Sequence, residues 1–211
     1  MSPRPLRTSP SDVVRARRPK TAPGTTSCAH DARRAIADTA LAAPPRLGAV
    51  RLLAIDGPSG SGKSTFADAL VAELRARRVR TALVRTDHFA TWDDPVGWWP
   101  RLELGVLQPL AVGRPGEYLP TSWGEPAHRV AVEVPEVLVL EGVSSARRRV
   151  EPFVSLVVWV ELASAAARLE RAVARDGEGE RGHLRDWQRF EQGWFAVDGT
   201  RGRAGAVVAE T

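Results

Sequence analysis

A glycine-rich stretch in the first third of the chain constrains the fold more than any other feature of the sequence. Gly57, Gly62, Lys63 and Ser64 match the pattern G-x-x-x-x-G-K-[ST]. In a loop of this kind, successive backbone N–H groups surround a phosphate, and glycines permit conformations and close approaches that a Cβ would obstruct. The lysine reaches the outer phosphates, and the serine hydroxyl is a ligand for Mg²⁺. The pattern predicts a phosphate-binding loop that comprises Gly57, Ser59, Gly60, Ser61, Gly62, Lys63, Ser64 and Thr65.

The residues on either side of the loop have the order that a nucleotide-binding loop needs. Residues 50–55 read as a short buried strand, and apolar residues from Phe66 to Leu74 recur at helical spacing after a predicted helix start at Thr65. The N-terminus of such a helix favours an anion. A chance glycine-rich turn is the alternative, and the order of strand, loop and helix argues against it. The sequence thus predicts that the chain binds a nucleotide.

Composition excludes several classes of protein. With 211 residues, of which 43% are hydrophobic, the chain suits one domain plus a tail, and it has no apolar run long enough to span a bilayer. The first residues lack the apolar segment and cleavage site of a signal peptide. The single cysteine, Cys28, has no cluster of Cys or His around it. We expect a cytoplasmic protein with no membrane partner.

The positive charge is concentrated at the beginning of the chain. Residues 1–47 hold nine Lys or Arg and three Asp or Glu, whereas residues 48–211 hold 21 basic and 22 acidic residues. We expect residues 1–47 to form a basic, Pro- and Arg-rich tail, without structure except for a short helix over 31–43 that ends at Pro44. Because the basic residues lie in this tail, no nucleic-acid partner is expected. The folded domain is predicted to span 48–211.

Apolar runs and helical patterns alternate through the predicted domain. Further strands are expected at 79–85, 137–140, 156–160 and, as a weaker signal, 204–208, and further helices at 163–175 and 184–195. Right-handed crossovers between such units give a mainly parallel sheet with helices on both faces. The predicted fold class is therefore α/β: a three-layer P-loop NTPase sandwich around a roughly five-stranded sheet.

Two acids follow predicted strands at the edge where ligands bind in open α/β sheets. Asp87 comes two residues after the second strand, and Glu141 follows the apolar run 137–140. A carboxylate in the first position can accept a proton from a hydroxyl or help to hold Mg²⁺, and one in the second can orient Mg²⁺ beside Ser64. A helix cap at Asp87 and a turn at Glu141 are the alternatives.

Three arginines are expected to share one face of the helix predicted at 163–175. Arg168, Arg171 and Arg175 have the spacing i, i+3 and i+7. Guanidinium groups can stabilise a transferring phosphoryl group, and a solvated face paired with Glu170 is the alternative. The charged, glycine-rich residues 176–182 follow, so we interpret 163–183 as an arginine helix and lid.

The stretch 89–135 forms a long insertion between the second and third predicted strands. Insertions of this length in a compact domain usually carry function, and a helix is expected from Pro100 to Gln108. Its several Trp side chains either stack on a flat substrate ring or fill a small satellite core. The polar candidates for substrate binding are Tyr118, Trp123, His128 and Arg129.

From about 48 to 209, the chain resembles the uridine kinase family of P-loop nucleoside kinases. Four segments carry the resemblance: Gly57–Thr65, Asp87-His88-Phe89, Glu141-Gly142, and Arg168 through Asp176. The resemblance implies transfer of the γ-phosphoryl group of ATP to a nucleoside 5′-hydroxyl, with Mg²⁺ as cofactor.

The same resemblance implies a role for each matching residue. Asp87 would be the general base, and Ser64, Asp87 and Glu141 would surround Mg²⁺. Lys63 and Arg171 would stabilise the transferring group, and Arg168 and Arg175 would bind ATP.

The substrate region departs from that family. Tyr118-Leu119-Pro120 and the later His128-Arg129 replace its base-recognition element. Residue 90 is Ala where a Tyr is expected, and Gly205 stands where the last strand of that family usually has Ala-Asp. A kinase of pantothenate, a sugar or an antibiotic hydroxyl would keep the same catalytic residues and change the insertion. No Asn-Lys-x-Asp element of a GTPase is present, and a non-catalytic nucleotide-binding module is the remaining alternative. The acceptor, the choice of ATP over GTP and the oligomeric state stay open.

Overall fold

The computed structural model describes residues 25–121 and 128–210. Its helices are α1 (Thr25–Ala42), α2 (Lys63–Ala76), α3 (Trp99–Leu102), α4 (Gln108–Ala111), α5 (Ala165–Asp176) and α6 (Arg181–Asp198). Its strands are β1 (Arg51–Asp56), β2 (Thr81–Arg85), β3 (Gly116–Tyr118), β4 (Val130–Val132), β5 (Val137–Glu141), β6 (Val154–Glu161) and β7 (Ala206–Ala209).

Five strands form one parallel sheet in the order β2-β5-β1-β6-β7. The central strand β1 pairs with β5 on one side and β6 on the other, so that Leu53 lies opposite Val139 and Leu156. The loop after β1 therefore leaves the sheet in the middle of its carboxyl edge, where ligands bind in open α/β sheets. The predicted α/β class and the five-stranded parallel sheet are confirmed.

Side chains of β1 alternate between two hydrophobic clusters, one on each face of the sheet. Leu53 and Ile55 pack with residues of α1 and α2, whereas Leu52 and Ala54 pack with the insertion that follows β2. The strand is buried on both faces, as expected for a parallel sheet between two layers. This arrangement gives the three layers that the sequence predicts.

Helix α1 differs from its prediction in both length and position. It spans Thr25–Ala42 rather than 31–43, and Ile36, Ala37 and Ala40 are buried against the cluster that contains Phe66 and Leu70. The packed unit thus begins before the boundary expected at residue 48. The alanine-rich sequence predicted the helix, but its contact with α2 depends on one isoleucine and two alanines that share one face.

The insertion is more regular than its sequence suggests. Helices α3 and α4 are joined by a π-helical segment, Glu103–Leu107, so the helical stretch runs from Trp99 to Ala111 rather than from 100 to 108. Strands β3 and β4 form a separate antiparallel pair that the sequence analysis did not predict. Three-residue strands are too short to produce a recognisable alternation of apolar and polar residues.

Several other helix and strand boundaries differ from those predicted, both near the glycine-rich loop and after the predicted lid. Helix α2 begins at Lys63 rather than Thr65, and β2 begins at Thr81 rather than at 79. Helix α6 is longer than the predicted 184–195, and a short 3₁₀ turn, Glu178–Glu180, precedes it. Within the residues that the structure describes, no helix is both long and apolar enough to cross a membrane.

Candidate active site

The glycine-rich loop follows β1 and is packed tightly against the elements behind it. A Cβ on Gly57 would clash with the carbonyl oxygen of Val160, and one on Gly60 would clash with that of Arg168. Gly62 caps α2 with φ of 94°, a left-handed conformation that glycine adopts without strain. The glycines therefore serve the packing of the loop on β6 and α5 as well as the shape of a phosphate cradle.

Lys63 lies at the first residue of α2, where the helix dipole and the loop N–H groups favour an anion. Its side chain is buried, and its Nζ donates to the carbonyl oxygen of Pro58 at 3.4 Å. Ser61 is fully buried, and its hydroxyl has no hydrogen-bond partner within the described protein. The loop thus places one cation, Lys63, in the lining of the cleft, where an ammonium group suits phosphate oxygens, and it keeps one unsatisfied hydroxyl buried.

Asp56, the last residue of β1, fixes the loop from below. Its carboxylate accepts hydrogen bonds from the backbone N–H groups of Gly57, Ser144 and Ala146 at 2.8 to 3.0 Å. The side chain is fully buried, and this burial raises its pKa to about 7. Asp56 therefore joins the loop after β1 to the loop after β5 without facing the cleft.

Ser64 and Glu141 meet at the carboxyl edge of the sheet. The Ser64 hydroxyl donates to one Glu141 oxygen at 3.0 Å, and Arg85 donates to the other at 3.3 Å. Burial raises the pKa of Glu141, while the positive charge of Lys63 partly opposes that rise. Among the described residues, no group of three or more His, Cys, Asp and Glu side chains is arranged to hold a metal ion.

A hydroxyl and one or two carboxylates are a donor set that fits Mg²⁺, which keeps several waters and completes its shell with phosphate oxygens. Ser64 and Glu141 are the residues present that would hold it. Asp87 lies close enough to influence the pKa of Glu141, so the three predicted ligands share one region.

Asp87 lies in a 3₁₀ turn, Thr86–His88, at the end of β2. Its side chain is exposed, and it lines the cleft together with Lys63 and Ser64. It also interacts electrostatically with Arg175 across the cleft. An accessible carboxylate in this position can receive a proton from a bound hydroxyl.

A cleft of about 820 Å³ runs from the glycine-rich loop to the N-terminal part of α6. Its phosphate end is lined by Ser59, Lys63 and Ser64, and its far end by apolar groups from the insertion and α6, namely Ala90, Trp92, Leu184 and Trp187. Arg85, Asp87, Arg175, Asp176 and Glu180 also line it. Its volume suits a ligand of the size of a small metabolite together with phosphate groups.

The three predicted arginines of α5 occupy different places. Arg175 lines the cleft and makes two hydrogen bonds of 2.6 Å with Asp176. Arg168 instead donates to the carbonyl oxygens of Leu162 and Ala163 below the start of the helix. Arg171 is exposed and is not among the residues that line the cleft. The structure therefore brings one of the three to the cleft.

The predicted substrate residues are not gathered in the cleft. Tyr118 is buried, stacks on Phe89 and bonds to Nδ1 of His88 at 2.8 Å, and burial raises its pKa to about 12. His128 is exposed, and Arg129 is exposed and paired with Glu117 at 2.8 Å. Trp123 lies outside the described residues. Tyr118 is a core residue here, because its ring packs within the hydrophobic cluster that contains Phe89.

A cluster of three tryptophans around Arg147 was not foreseen from the sequence. Trp98, Trp99 and Trp194 have ring centroids 4.5 to 5.2 Å from the guanidinium of Arg147, which is itself buried. Burial lowers the pKa of Arg147 to about 10. Trp98 and Trp99 come from the insertion and belong to the large hydrophobic cluster on one face of the sheet, so these two fill core space rather than stack on a substrate. Arg147 is the first of three consecutive arginines, and a charge run of this sort is usually a solvated surface, so nothing local marked residue 147.

Glu191 and Arg85 are two further residues that the sequence analysis missed. Glu191 is buried beside the glycine-rich loop, and Arg85 holds both Glu141 and Asp68. Glu191 does carry a signal: it is an acid in the aromatic stripe of a helix, four residues after Trp187. Arg85 carries a weaker one, as a cation at the carboxyl end of a strand.

No family model matches the chain, and no curated protein matches its sequence. Solved structures do match. A possible uridine kinase from Bacillus stearothermophilus has a TM-score of 0.61 at 19% identity, over 85% of this chain and 98% of its own. The chain has a P-loop kinase fold. The resemblance in fold that the sequence indicated is confirmed.

Two other structures have the same architecture. A proposed fructose transport system kinase from Silicibacter sp. TM1040 has a TM-score of 0.62 at 18% identity, over 83% of this chain and 98% of its own. D-glycerate 3-kinase from Cryptococcus neoformans var. grubii has a TM-score of 0.52 at 11% identity, over 76% of this chain and 84% of its own. Their printed names cover three kinds of acceptor, so the P-loop kinase fold alone leaves the acceptor of this chain undefined.

Proposed function

We propose that this chain is an ATP-dependent kinase that transfers the γ-phosphoryl group to a hydroxyl of a small molecule, with a nucleoside such as uridine or cytidine as the preferred acceptor. The observation that carries the proposal is the convergence of Lys63, the Ser64–Glu141 pair and Asp87 on one cleft. These groups come from the ends of β1, β2 and β5. The names of the similar structures support the same general chemistry.

Each group has a task that follows from its position. The loop N–H groups and Lys63 bind the β- and γ-phosphates and stabilise the charge that develops during transfer. Arg175 can add to this stabilisation after a change of partner from Asp176, and Ser64 and Glu141 would hold Mg²⁺. Mg²⁺, when bound, neutralises charge on the phosphate oxygens. Asp87 accepts the proton of the attacking hydroxyl, while ADP leaves on the opposite side of the phosphorus.

The charges that line the cleft favour a neutral acceptor. Of the cations that line it, Arg85 is engaged by Asp68 and Glu141, and Arg175 by Asp176, while Lys63 serves the phosphates. Asp87, Asp176 and Glu180 add negative charge to the lining. A sugar acid or pantothenate would need a cation for its carboxylate. A nucleoside is therefore favoured over an acid.

The apolar wall at the far end of the cleft also suits a ring. Trp92 and Trp187 meet edge to face with centroids 5.7 Å apart, and Leu184 lies beside them. Aromatic faces of this kind pack on a nucleobase or on the C–H face of a sugar. A neutral sugar or an antibiotic hydroxyl is thus the second candidate acceptor.

A substrate panel tests the proposal. Purified protein with ATP and Mg²⁺ is incubated with nucleosides, neutral sugars, aminoglycosides, glycerate or pantothenate, and product masses are recorded. We expect a mass gain of one phosphoryl group on a nucleoside, strongest with uridine or cytidine. Transfer to a neutral sugar alone would change the identity of the acceptor but leave the proposed mechanism intact. Transfer only to an acid would contradict the argument that the charges of the cleft favour a neutral acceptor. ATP binding without transfer to any hydroxyl would overturn the proposed function.

A further inference from the structure

A buried carboxylate from α6 reaches the glycine-rich loop. Glu191 lies in the middle of that helix, its side chain is 2% exposed, and it shares one helix face with Leu184 and Asp198. This face of α6 holds the buried residues of the helix and packs against the rest of the domain. A buried acid in such a position costs folding free energy unless it has partners, so its contacts must account for its presence.

The partners of Glu191 belong to the phosphate cradle. Its two carboxylate oxygens lie 3.1 and 2.9 Å from the backbone nitrogen of Ser59, which donates to them. Lys63 and Arg168 are the described charged groups that attract it electrostatically. Ser59 and Lys63 both line the cleft. A backbone N–H of the loop and the loop lysine are the donors that a terminal phosphate requires.

We propose that Glu191 is a positioning residue that competes with the terminal phosphate of the nucleotide for the cradle. The Glu191 carboxylate accepts a hydrogen bond from the Ser59 N–H and attracts Lys63, whose ammonium donates to the carbonyl oxygen of Pro58. A phosphate that enters the loop brings a second negative charge to the same donors, so the carboxylate takes up a proton as the phosphate binds. This inference rests on the proposed function, because it concerns the same ATP site.

The competition couples occupancy of the cradle to α6. Three turns of that helix are involved: Leu184 and Trp187 line the far end of the cleft, and Asp198 is fixed by the backbone N–H of Arg148 at 3.0 Å. Since Asp198 anchors the C-terminal end, a change at Glu191 acts on the N-terminal half, where the acceptor would lie.

A neutral isostere of Glu191 distinguishes competition with the phosphate from a purely structural role in holding the loop. Glu191→Gln keeps an oxygen that accepts from Ser59 N–H and removes the charge. We expect it to bind ATP roughly tenfold more tightly than the parent protein, as estimated for removal of one nearby like charge. The matched control is Asp186→Asn on the exposed side of the same helix, and its ATP affinity should be unchanged. An affinity for Glu191→Gln that is equal to or weaker than that of the parent would overturn the inference.

Proton uptake gives a second readout, one that a purely structural brace would not move. Burial raises the pKa of Glu191, and a phosphate beside it raises that pKa further, so ATP binding at about pH 7 draws a proton onto the parent protein. Calorimetry in two buffers with different ionisation enthalpies measures this uptake, which Glu191→Gln should lack. Absence of uptake by the parent protein overturns the inference even if the variant does not fold.

The two proposals fail in different ways. ATP binding with the Glu191 effect, but without transfer to any hydroxyl, overturns the proposed function and leaves the inference standing. Phosphoryl transfer to a hydroxyl, with equal ATP affinity in the parent protein and Glu191→Gln, overturns the inference about Glu191 and leaves the proposed function standing. Failure of both proteins to bind ATP overturns both.

Discussion

The two ends of the cleft are built in different ways. The phosphate end consists of consecutive residues between β1 and α2, together with Glu141, and hydrogen bonds to buried groups fix it in place. The far end is assembled from separate segments, with Trp92 from the insertion and Trp187 from α6 held by ring contacts. A backbone cradle has little freedom to vary, whereas packed side chains can be exchanged. The comparison explains how one P-loop kinase fold accommodates several acceptors.

The largest effect is expected from the phosphate end. Lys63→Ala should lower the rate of phosphoryl transfer by roughly 10³, because it removes a preorganised cation from the transferring group. Steady-state kinetics with ATP and the best acceptor give the measurement. Arg189→Ala, at an exposed arginine paired with Asp186, is the control and should retain full activity. A near-normal rate for Lys63→Ala would show that the cradle does not bind the nucleotide as described.

Asp87 lies where the two ends meet. Asp87→Asn should reduce kcat by roughly 10² while ATP affinity and melting temperature stay close to those of the parent protein, as expected for loss of a general base. Asp93→Asn removes a neighbouring exposed carboxylate and serves as the control. Unreduced turnover in Asp87→Asn would make this residue a structural part of the 3₁₀ turn.

Glu141 allows a test of the metal assignment. Glu141→Gln should raise the Mg²⁺ concentration needed for half-maximal activity by about tenfold, because it weakens the group that orients the ion and its waters. Activity is measured over a Mg²⁺ titration, with the exposed Glu133→Gln as the matched control. An unchanged Mg²⁺ requirement would assign Glu141 to a purely structural contact with Ser64 and Arg85.

At the far end, a smaller and more selective effect is expected. Trp92→Ala should raise the KM for the acceptor by about three- to tenfold through lost ring contacts, without changing the KM for ATP. Tyr118→Phe removes a hydroxyl that is buried against His88, and it should change the acceptor KM less than Trp92→Ala does. The reverse order would restore Tyr118 as the substrate residue that the sequence predicted.

The last prediction concerns stability rather than catalysis, through the buried Asp56 at the end of β1. Its pKa is raised from 3.8 to about 7, so the folded protein keeps a proton that the unfolded chain loses near pH 4. Its contribution to stability is therefore complete below about pH 4 and is lost as the pH rises towards 7. Denaturant unfolding of the nucleotide-free protein at about pH 5, 6 and 7 should show decreasing stability. A steady increase over this interval would contradict the assignment.

The sequence predicted best what depends on neighbouring residues. The loop, β1 and α2 follow one another directly, and the acids at 87 and 141 are marked by the strands that precede them. The carboxyl ends of parallel strands lie at one edge of the sheet, independently of side-chain packing elsewhere in the chain. Predicting where these residues lie therefore required only the fold class.

What the sequence did not predict depends on contacts between distant segments. Glu191 meets Ser59 across 132 positions, and Arg147 is enclosed by tryptophans from the insertion and α6. Neither contact leaves a local pattern. The arginines of α5 show the opposite case, in which a clear local pattern did not predict the contacts. Their spacing is regular, yet Arg168 donates to the carbonyl oxygen of Leu162, which precedes the helix. The spacing of residues along a helix predicts which side chains share a face, but the tertiary packing determines which groups those side chains contact.

The most direct test of the account follows the phosphorus atom itself. ATP that carries an isotopic label in its γ-phosphoryl group is incubated with Mg²⁺, uridine or cytidine, and either the parent protein or Asp87→Asn. The account predicts that the label appears on the nucleoside hydroxyl with the parent protein and is reduced roughly 10²-fold with the variant, while both proteins bind ATP equally. If the parent protein binds ATP and the label appears only as inorganic phosphate, or on no acceptor of any class, the kinase assignment is contradicted.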